Sequence, residues 1–246
     1  HPISEKQVLD KLVQDGFDLS SLDQGVLQNY DQDHFGGFAA TDTLARLVNI
    51  SDSTHILDVC CGLGGPARYL AHHYGSHVTG IDLNQSRVDG AVRLTEMVGL
   101  EEKVSFLRAN ALYSGLPSAE FDSLIAQEAF CHVPNKPGLL AECVRVLKPG
   151  GLIAFTDILE NSGMTATVRE RLCQEMAFTE LNTLDNYRVL LEASGCEMKE
   201  AKDLSEEWAR ILIKRLAMYR GLKDQTVAKF GRSHFEKWDR TYSFFV

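Results

Sequence analysis

The chain has 246 residues and a formal net charge of −9, and 44% of its residues are hydrophobic. This size and composition are those of an ordinary globular protein with a substantial core. Because nucleic-acid binding depends on clustered Lys and Arg, the acidic balance argues against such a partner, and we expect a small molecule instead. No stretch is long and apolar enough to span a bilayer, and no signal-peptide pattern opens the chain. We therefore expect a cytoplasmic monomer or homodimer that contacts no membrane.

Six cysteines are spread along the chain without a C-x-x-C spacing, at positions 60, 61, 131, 143, 173 and 196. Several fall in apolar helix or strand patterns, which is typical of reduced, buried thiols. We expect neither disulfides nor a metal site. The chain opens on His1-Pro2 without a Met, which we interpret as a trimmed start or a tag remnant.

The first fifty residues predict helices. Ser4 precedes an apolar face formed by Val8, Leu9, Leu12 and Val13, and a second helix is predicted over residues 39–48. The intervening stretch 29–37 (N-Y-D-Q-D-H-F-G-G) is too polar and Gly-rich to be helical throughout.

From residue 55 onward, strands and helices alternate. The predicted elements are, in order, strand 55–59, helix 66–74, strand 77–82, helix 85–98, strand 104–108, strand 121–127, helix 136–147 and strand 151–156. This alternation implies right-handed crossovers and a mostly parallel sheet covered on both faces. The fold class is therefore α/β and doubly wound.

After Asp157 the pattern is mainly helical. The predicted elements are a helical, polar region to about residue 182, helix 183–194, strand 196–203, an amphipathic segment 205–240 and a β-rich terminus at 241–246. The last strand is short for this architecture, which predicts that residues follow Val246.

The most informative stretch is 55–66, where an apolar strand carrying Asp58 enters a tight, Gly-rich turn. Gly62 and Gly64 lack a Cβ, so the backbone can bend sharply and a ligand can approach its N–H groups. A helix then starts at Pro66. Asp82 ends the next strand, where its carboxylate can accept hydrogen bonds from ribose hydroxyls. The arrangement predicts a nucleoside-binding half.

No linker composition divides the chain, so we expect one domain over residues 1–246. Within it we expect a helical lid at 1–50, a nucleoside-binding core at 51–157 and a substrate cap with C-terminal strands at 158–246.

The glycine turn alone fits more than one nucleoside. The stretch 62–67 (G-L-G-G-P-A) and Asp82 satisfy the loose dinucleotide fingerprint, so an NAD(P)-dependent oxidoreductase is one possibility. Tyr219 and Lys223 also have the spacing of short-chain dehydrogenases. However, Gly221 interrupts that pair, and the T-G-x-x-x-G-x-G turn that accompanies it in those enzymes is missing.

Further blocks favour another family. The run Asp58-x-Cys60-x-Gly62-x-Gly64 resembles the D/E-x-G-x-G-x-G turn of class I S-adenosylmethionine-dependent methyltransferases, with Cys60 in place of the first Gly. The other blocks of that family follow in order: Asp82, Ala109-Asn110-Ala111, Phe121-Asp122 through Gln127-Glu128, and Leu147-Lys148-Pro149-Gly150-Gly151. The resemblance covers residues 30–157 and implies S-adenosylmethionine as the cofactor. It also implies a Rossmann-like, mostly parallel, seven-stranded sheet, with helical caps from the N-terminus, after strand five and before the last strand.

Matched position by position, the family implies roles around the cofactor. The backbone of Cys60, Gly62 and Gly64 would face its methionine part, although a left-handed conformation at Cys60 would be strained. The side-chain roles implied are Asp58 at the turn or the amino group, Asp82 at the ribose, Leu83 on the adenine and Asn110 at the adenine amino group, with Ala111, Arg87 and Gln127 as further cofactor-binding candidates.

Within the family, three stretches are similar to the sarcosine/dimethylglycine and phosphoethanolamine N-methyltransferases: 36–41 (G-G-F-A-A-T), 127–132 (Q-E-A-F-C-H) and 155–157 (F-T-D). The stretch 202–208 (K-D-L-S-E-E-W) also resembles the phosphoethanolamine enzymes. This resemblance implies a lid that closes over the nucleoside and contacts the cofactor through Tyr30, His34, Phe35 and Gly36.

The implied reaction is in-line transfer of a sulfonium methyl to nitrogen, or to oxygen, of a small acceptor that must be unprotonated. His132 follows strand four and is the candidate base, since a histidine can accept a proton near neutral pH. Glu128 is expected to orient an ammonium or to contact the cofactor's amino group. The alternatives are a structural histidine before Pro134 and an exposed strand-end carboxylate.

The acceptor is the least determined part. The phosphoethanolamine enzymes bind their phosphobase with tyrosines and an arginine, whereas the matching positions here are Ile158, Cys173, Ala177 and Thr179, which cannot clamp a phosphate. A pocket with Phe130, Cys131, Met176 and Phe178 would suit a partly apolar amine, hydroxyl compound or natural product, and core packing is the alternative. A binding protein without turnover is the remaining alternative function.

Overall fold

The computed structural model describes residues 3–246, so the expectation about His1 and Pro2 lies outside the described residues. Five parallel strands form one sheet in the order β3-β2-β1-β4-β5. They are β1 (His55–Val59), β2 (His77–Asp82), β3 (Val104–Arg108), β4 (Phe121–Gln127) and β5 (Leu147–Thr156). The strand order reverses between β1 and β4. In open α/β sheets ligands bind in the crevice at the carboxyl ends of such a strand pair.

Eleven α-helices surround the sheet within the described part of the chain. They are α1 (Glu5–Gln14), α2 (Gln24–Leu27), α3 (Gly37–Leu47), α4 (Gly65–Tyr74), α5 (Gln85–Met97), α6 (Lys136–Val146), α7 (Ala166–Met176), α8 (Leu184–Ala193), α9 (Ser205–Gly221), α10 (Lys223–Phe230) and α11 (Arg232–Phe245). None of them is long and apolar enough to pass through a bilayer. The predicted start of α1 is confirmed, since Ser4 caps it reciprocally with Gln7, and Val8 and Leu12 are its buried residues.

Both faces of the sheet are covered. On one face, Leu57 and Leu124 pack in a cluster with Leu139 of α6 and Leu191 of α8. On the other face, Ile56 and Ile125 pack with residues of α3, α4 and α5. Strands buried on both faces carry nearly continuous apolar runs, which is why β1 and β4 could be predicted from the sequence.

The expectation of seven strands is wrong for residues 3–246, where five strands form. The predicted strand 196–203 forms no regular secondary structure. Cys196 and Met198 pack on the core, but the residues between and after them are Glu, Lys, Ala and Asp, which favour strands poorly.

The predicted β-rich terminus at 241–246 is also wrong, because α11 continues to Phe245. Phe235 and Thr241 of this helix are buried, and the Phe235 ring stacks on Tyr219 of α9 with centroids 5.0 Å apart. Packing of an amphipathic helix overrides the strand preference of its aromatic residues.

Candidate active site

The turn between β1 and α4 is built from left-handed residues. Cys60, Gly62 and Gly64 have φ values of 61°, 57° and 75°. A Cβ on Gly62 would lie 2.6 Å from Nη2 of Arg87, and one on Gly64 would collide with the ring of Phe106. The two glycines are therefore required by space as well as by φ. Cys60 adopts the left-handed conformation, which is strained for a residue with a side chain, and its side chain packs against the core.

Two buried polar atoms at the carboxyl ends of β1 and β4 have no hydrogen-bond partner among the described residues. They are Oδ2 of Asp58 and Nε2 of Gln127. Asp58 pairs with Ile125 in the register of the sheet, so Asp58 and Gln127 point to the same face. One atom is an acceptor and the other a donor. Together they are complementary to the ammonium and carboxylate of an amino acid.

Asp58 is poised between its charged and neutral forms. Burial, with the charge of Asp82 nearby, raises the pKa of its carboxyl to about 7, although Arg68 opposes the shift. A cationic group beside Asp58 would therefore stabilise its ionised form.

Asp82 lies at the end of β2 and faces the glycine turn. Its carboxylate accepts hydrogen bonds from the backbone N–H of Gly62 at 3.0 Å and of Asn84 at 2.8 Å. A carboxylate has about four acceptor sites, so hydroxyl donors can still bind. Leu83 follows it with 64% of its surface exposed, as an apolar platform at the rim.

After β3, Asn110 is exposed and Ala111 is buried. Oδ1 of Asn110 accepts from the backbone N–H of Leu112 at 3.0 Å, which orients the amide so that its NH₂ group is the free donor. An Asn at this position thus presents a donor where an Asp would present an acceptor.

The guanidinium of Arg87 is bonded to the N-terminal segment of the chain and is not directed at open solvent. Its guanidinium donates to the carbonyl of Ile3 at 3.1 Å and pairs with Asp33 at 2.8 Å, above Gly62. It fixes the N-terminal segment over the glycine turn.

The lid segment, residues 29–37, is hydrogen-bonded to the ends of β4 and β5. The backbone N–H of Phe35 donates to Oε2 of Glu128 at 2.7 Å, and the hydroxyl of Thr156 donates to Oε1 at 2.6 Å. Gly36 is the left-handed N-cap of α3. Glu128 therefore joins the lid to two strands.

Glu128 is a half-buried carboxyl group in a strained backbone conformation. Its φ is 45°, a conformation that is rare for a residue with a side chain. Burial raises its pKa to about 7, although the bonds from Thr156 and Phe35 act in the opposite direction. These contacts do not fit the alternative interpretation, in which Glu128 is an exposed strand-end carboxylate.

His34 forms a second link between the lid and β4. It is buried, and burial lowers its pKa to about 4, so it is neutral at pH 7. Its Nε2 lies 3.0 Å from the carbonyl of Gly37 and 3.2 Å from the hydroxyl of Thr41, which donates to Oε1 of Gln127 at 3.0 Å. Because a carbonyl only accepts, Nε2 carries the proton.

Tyr30 is placed differently from the other lid candidates. Its hydroxyl donates to Asp15 at 2.9 Å, and its ring packs edge-on against Phe17. It lies in the N-terminal cluster together with Leu63 of the glycine turn. The structure thus links His34 and Phe35 to the end of β4, while the hydroxyl of Tyr30 is bound to Asp15, the C-cap of α1.

His132 lies in a 3₁₀ turn (Phe130–His132) after β4, and its side chain is exposed. Its Nδ1 lies 3.0 Å from the carbonyl of Ala177, and its ring packs 5.3 Å from that of Phe178. Nδ1 must donate to that carbonyl, so in the neutral ring Nε2 holds the lone pair.

An apolar cluster lies beneath His132 in the cap. Cys131, Leu172, Phe178 and Leu181 are buried in it, and Met176 and Ile158 are partly buried against it. Phe130 lies instead in the core beneath the sheet, against Phe155. Core packing therefore describes Phe130, Cys131 and Phe178, whereas Met176 is only partly buried.

Several residues of the site were not singled out in the sequence. Arg68 and Asp31 form an ion pair at 2.7 Å with both side chains fully buried, beneath the lid. Arg215 of α9 donates to the carbonyl of His34 at 2.9 Å, and Trp208 packs 4.8 Å from the ring of Phe35. Only Trp208, inside the stretch 202–208, carried a sequence signal.

Comparison with known proteins identifies the class. Residues 57–155 match the family model of the methyltransferase domain. Residues 57–155 therefore form a methyltransferase domain, and the similarities to known proteins are consistent with the class I, S-adenosylmethionine-dependent type that the order of the sequence blocks predicts.

Two relatives show the range of the family. The chain is 34% identical over 169 residues to a sterol 24-C-methyltransferase of Gibberella zeae, covering 66% of this chain and 44% of that protein. It is 27% identical over 201 residues to the phosphoethanolamine N-methyltransferase of Triticum aestivum, covering 82% of this chain and 39% of that protein. The chain thus spans less than half the length of either relative.

A solved structure shares the whole fold. The putative sarcosine dimethylglycine methyltransferase of Galdieria sulphuraria superimposes with a TM-score of 0.77 and 18% identity, covering 98% of this chain and 91% of that one. The cofactor of this class is S-adenosylmethionine. The residues present fit it, because the partnerless Asp58 oxygen and Gln127 nitrogen complement the ammonium and carboxylate of its amino-acid part.

Proposed function

We propose that this chain transfers a methyl group from S-adenosylmethionine to a nitrogen, or to an oxygen, of a small acceptor with a partly apolar surface. The observation that carries the proposal is the placement of His132: an exposed imidazole on a buried, hydrogen-bonded loop, with Nδ1 tied to a carbonyl. This arrangement leaves Nε2 as a proton acceptor at the edge of an apolar cluster.

The loop that carries His132 is held from below. The backbone N–H of Cys131 donates to Asp157 at 2.9 Å, and the carbonyl of Cys131 accepts from the N–H of Thr179 at 2.9 Å. The hydroxyl of Tyr187 donates to the other oxygen of Asp157 at 2.6 Å. Because these hydrogen bonds fix the loop, the exposed His132 is held in a defined position and can act as a general base.

When bound, the cofactor supplies an electrophilic methyl group on a positively charged sulfur. The chain's own residues have the remaining tasks. Asp58 and Gln127 bind the amino-acid end, and Asp82 accepts from ribose hydroxyls. Nε2 of His132 takes the proton of the acceptor. Phe35 and Trp208 exclude water once the lid is closed.

The acceptor class is inferred from the cap. Arg169 and Arg171 of α7 are paired with Glu160 and Glu175, so neither guanidinium is free to bind a phosphate. The apolar cluster around Phe178 favours an acceptor that is at least partly apolar. With a net charge of −9 we propose a small molecule, not a nucleic acid, bound by a single domain whose cap is formed by residues 158–246.

Two measurements test the proposal. Isothermal titration should show micromolar binding of S-adenosylhomocysteine and none of NADH, and the reverse result would reject the cofactor assignment. A radiolabelled methyl-transfer screen should then include amines, amino acids, phosphobases, phenols and sterols.

The role of His132 is tested with a matched variant. His132→Gln should lower kcat on the accepted substrate by about a hundredfold, whereas His77→Gln, at the exposed amino end of β2, should leave it unchanged. An unaltered rate and pH profile in His132→Gln would remove the base role. Absence of transfer to every acceptor, with cofactor binding intact, would favour a binding protein without turnover.

A further inference from the structure

Lys136, at the start of α6, is a fully buried lysine whose side chain has 0% exposure. Its ammonium donates to the carbonyl of Val133 at 2.7 Å and to the carbonyl of Glu180 at 3.2 Å. The carboxylate of Glu180 is 4.0 Å away and 42% exposed. A buried ammonium held mainly by carbonyl oxygens is costly, and burial lowers its pKa. An apolar side chain would fill this space at less cost.

The two carbonyls belong to two segments that meet at His132. Val133 directly follows His132 on the loop after β4, and Glu180 belongs to the segment 177–182 after α7. The same segments are joined by the N–H of Thr179 on the carbonyl of Cys131 and by Nδ1 of His132 on the carbonyl of Ala177. Ala177 is in the left-handed region, with φ of 59°, so its carbonyl direction is set by the surrounding contacts.

We propose that Lys136 is a positioning residue for His132, because its ammonium clamps the 177–182 segment to the His132 loop and so holds the Ala177 carbonyl on Nδ1. That contact fixes the Nδ1–H tautomer and leaves the lone pair on Nε2. A carbonyl here does what a carboxylate does beside other catalytic histidines: it selects the ring nitrogen that reacts. The tautomer follows from the contacts alone, and only its catalytic consequence rests on the proposed function.

The experiment measures the tautomer directly, by ¹⁵N NMR of protein labelled at histidine, with the His132 signals assigned from their loss in His132→Gln. In the wild-type protein at pH 8 we expect Nδ1 protonated and Nε2 unprotonated. In Lys136→Met, the two ¹⁵N shifts should move toward the averaged values of a free imidazole. The matched control is Lys148→Met, which removes an exposed lysine paired with Asp122 and should leave the His132 signals in place.

Activity adds a second readout. Lys136→Met should lower kcat by ten- to a hundredfold and shift the acidic limb of the pH profile, where a general base becomes protonated, while the Kd of S-adenosylhomocysteine stays within twofold of wild type. Lys136→Arg, which keeps a cation and donors, should retain more of the activity than the Met variant.

The spectrum of the wild-type protein can reject the proposal by itself, so the test does not depend on whether the Lys136→Met variant folds. Finding the proton on Nε2 of His132, or finding the Nδ1–H tautomer unchanged in a folded Lys136→Met variant, would reject the clamp. If the tautomer shifts as expected but methyl transfer is absent in the wild type, then the proposed function fails and the positioning contact stands.

Discussion

The backbone N–H of Phe35 donates to Oε2 of Glu128 at 2.7 Å, across 93 residues of sequence. Because Oε1 of the same carboxylate accepts from Thr156, one side chain bonds the lid to the carboxyl ends of β4 and β5. The Phe35 ring is also held by Trp208 and by the Arg215 guanidinium, 4.9 Å from its centroid. Closure of the lid and packing of α9 therefore depend on the same residue, Phe35.

The first prediction concerns this carboxylate. Glu128→Gln keeps the size and both contacts, because the amide oxygen can accept from the Phe35 N–H and the NH₂ group can donate to a rotated Thr156 hydroxyl, but it removes the negative charge that strengthens these bonds, at a cost of about 1–2 kcal/mol. We expect roughly tenfold weaker binding of S-adenosylhomocysteine by titration calorimetry at pH 8.

The pH dependence of this effect is a further check. The pKa of Glu128 is about 7, so below pH 7 the wild-type carboxyl is itself mostly neutral and the difference between the two proteins should shrink at pH 6. Glu102→Gln, on an exposed turn, is the control. Equal affinities for wild type and Glu128→Gln at pH 8 would show that the bonds of Glu128 to Phe35 and Thr156 do not matter for cofactor binding.

The second prediction concerns Asp58 and protein stability. Its pKa is raised above the ordinary value of 3.8 to about 7, so the folded protein binds this proton more tightly than the unfolded chain does. The stabilisation is therefore complete below about pH 4 and is lost as the pH rises through 7. Relative to Asp58→Asn, wild type should lose on the order of a few kcal/mol of unfolding free energy between pH 5 and 8.

Urea denaturation of the two proteins without cofactor, at several pH values, measures this pH dependence of the free energy of unfolding. The comparison with Asp58→Asn cancels the opposite contribution of His34, whose lowered pKa destabilises the protein in acid. Parallel curves for the two proteins would mean that Asp58 is ionised throughout.

The third prediction follows from the same carboxyl. If the amino group of the cofactor binds at Asp58, its positive charge favours the ionised form, so binding below pH 7 should release a proton. Calorimetry in two buffers of different ionisation enthalpy should detect this release at pH 6.5 for wild type, but not for Asp58→Asn. Proton release that persists in Asp58→Asn would assign it to another group.

These residues also show how far the sequence could predict the structure. The strands β1 to β5 and helices α4 to α6 follow from apolar runs and turn residues that act locally. The mostly parallel sheet and the glycine turn follow from those elements and the handedness of their connections, whereas the strand order was not predicted. The ordered blocks identified the cofactor class from Asp58 to the end of β5.

What the sequence could not predict depends on distant partners. Arg68 sits in an amphipathic helix, where an arginine is ordinarily exposed, and its burial depends on Asp31, 37 residues away. The burial of Glu128 depends on Phe35 in the same way. For residues 241–246, tertiary packing overrode a local strand pattern, whereas residues 196–203 include several that favour strands poorly.

The fourth prediction concerns backbone strain at Cys60, whose φ is 61°. Glycine adopts this conformation without a steric cost, so Cys60→Gly should stabilise the protein by about 1 kcal/mol, offset in part by lost packing of the thiol. Cys60→Ala removes the same packing and keeps the strain, so it should be the less stable of the two variants. Urea midpoints compare them, and a Gly variant less stable than the Ala variant would contradict the strain argument.

The fifth prediction concerns the buried ion pair of Arg68 and Asp31. Arg68 also donates to Thr95 at 3.0 Å and to the carbonyl of Leu63 at 2.7 Å, so it ties the lid, the glycine turn and α5 together. Arg68→Met leaves the carboxylate of Asp31 buried without its cation, and removing one partner of a buried pair costs about 3–5 kcal/mol. Asp31→Asn/Arg68→Met, which removes both charges, should recover part of that loss.

Arg46→Met is the control. It breaks the exposed pair with Asp42, where Arg46 is 76% exposed, and should cost less than about 1 kcal/mol. Denaturant unfolding of the four proteins measures these free energies, and equal losses for Arg68→Met and Arg46→Met would show that burial of the pair does not govern its contribution.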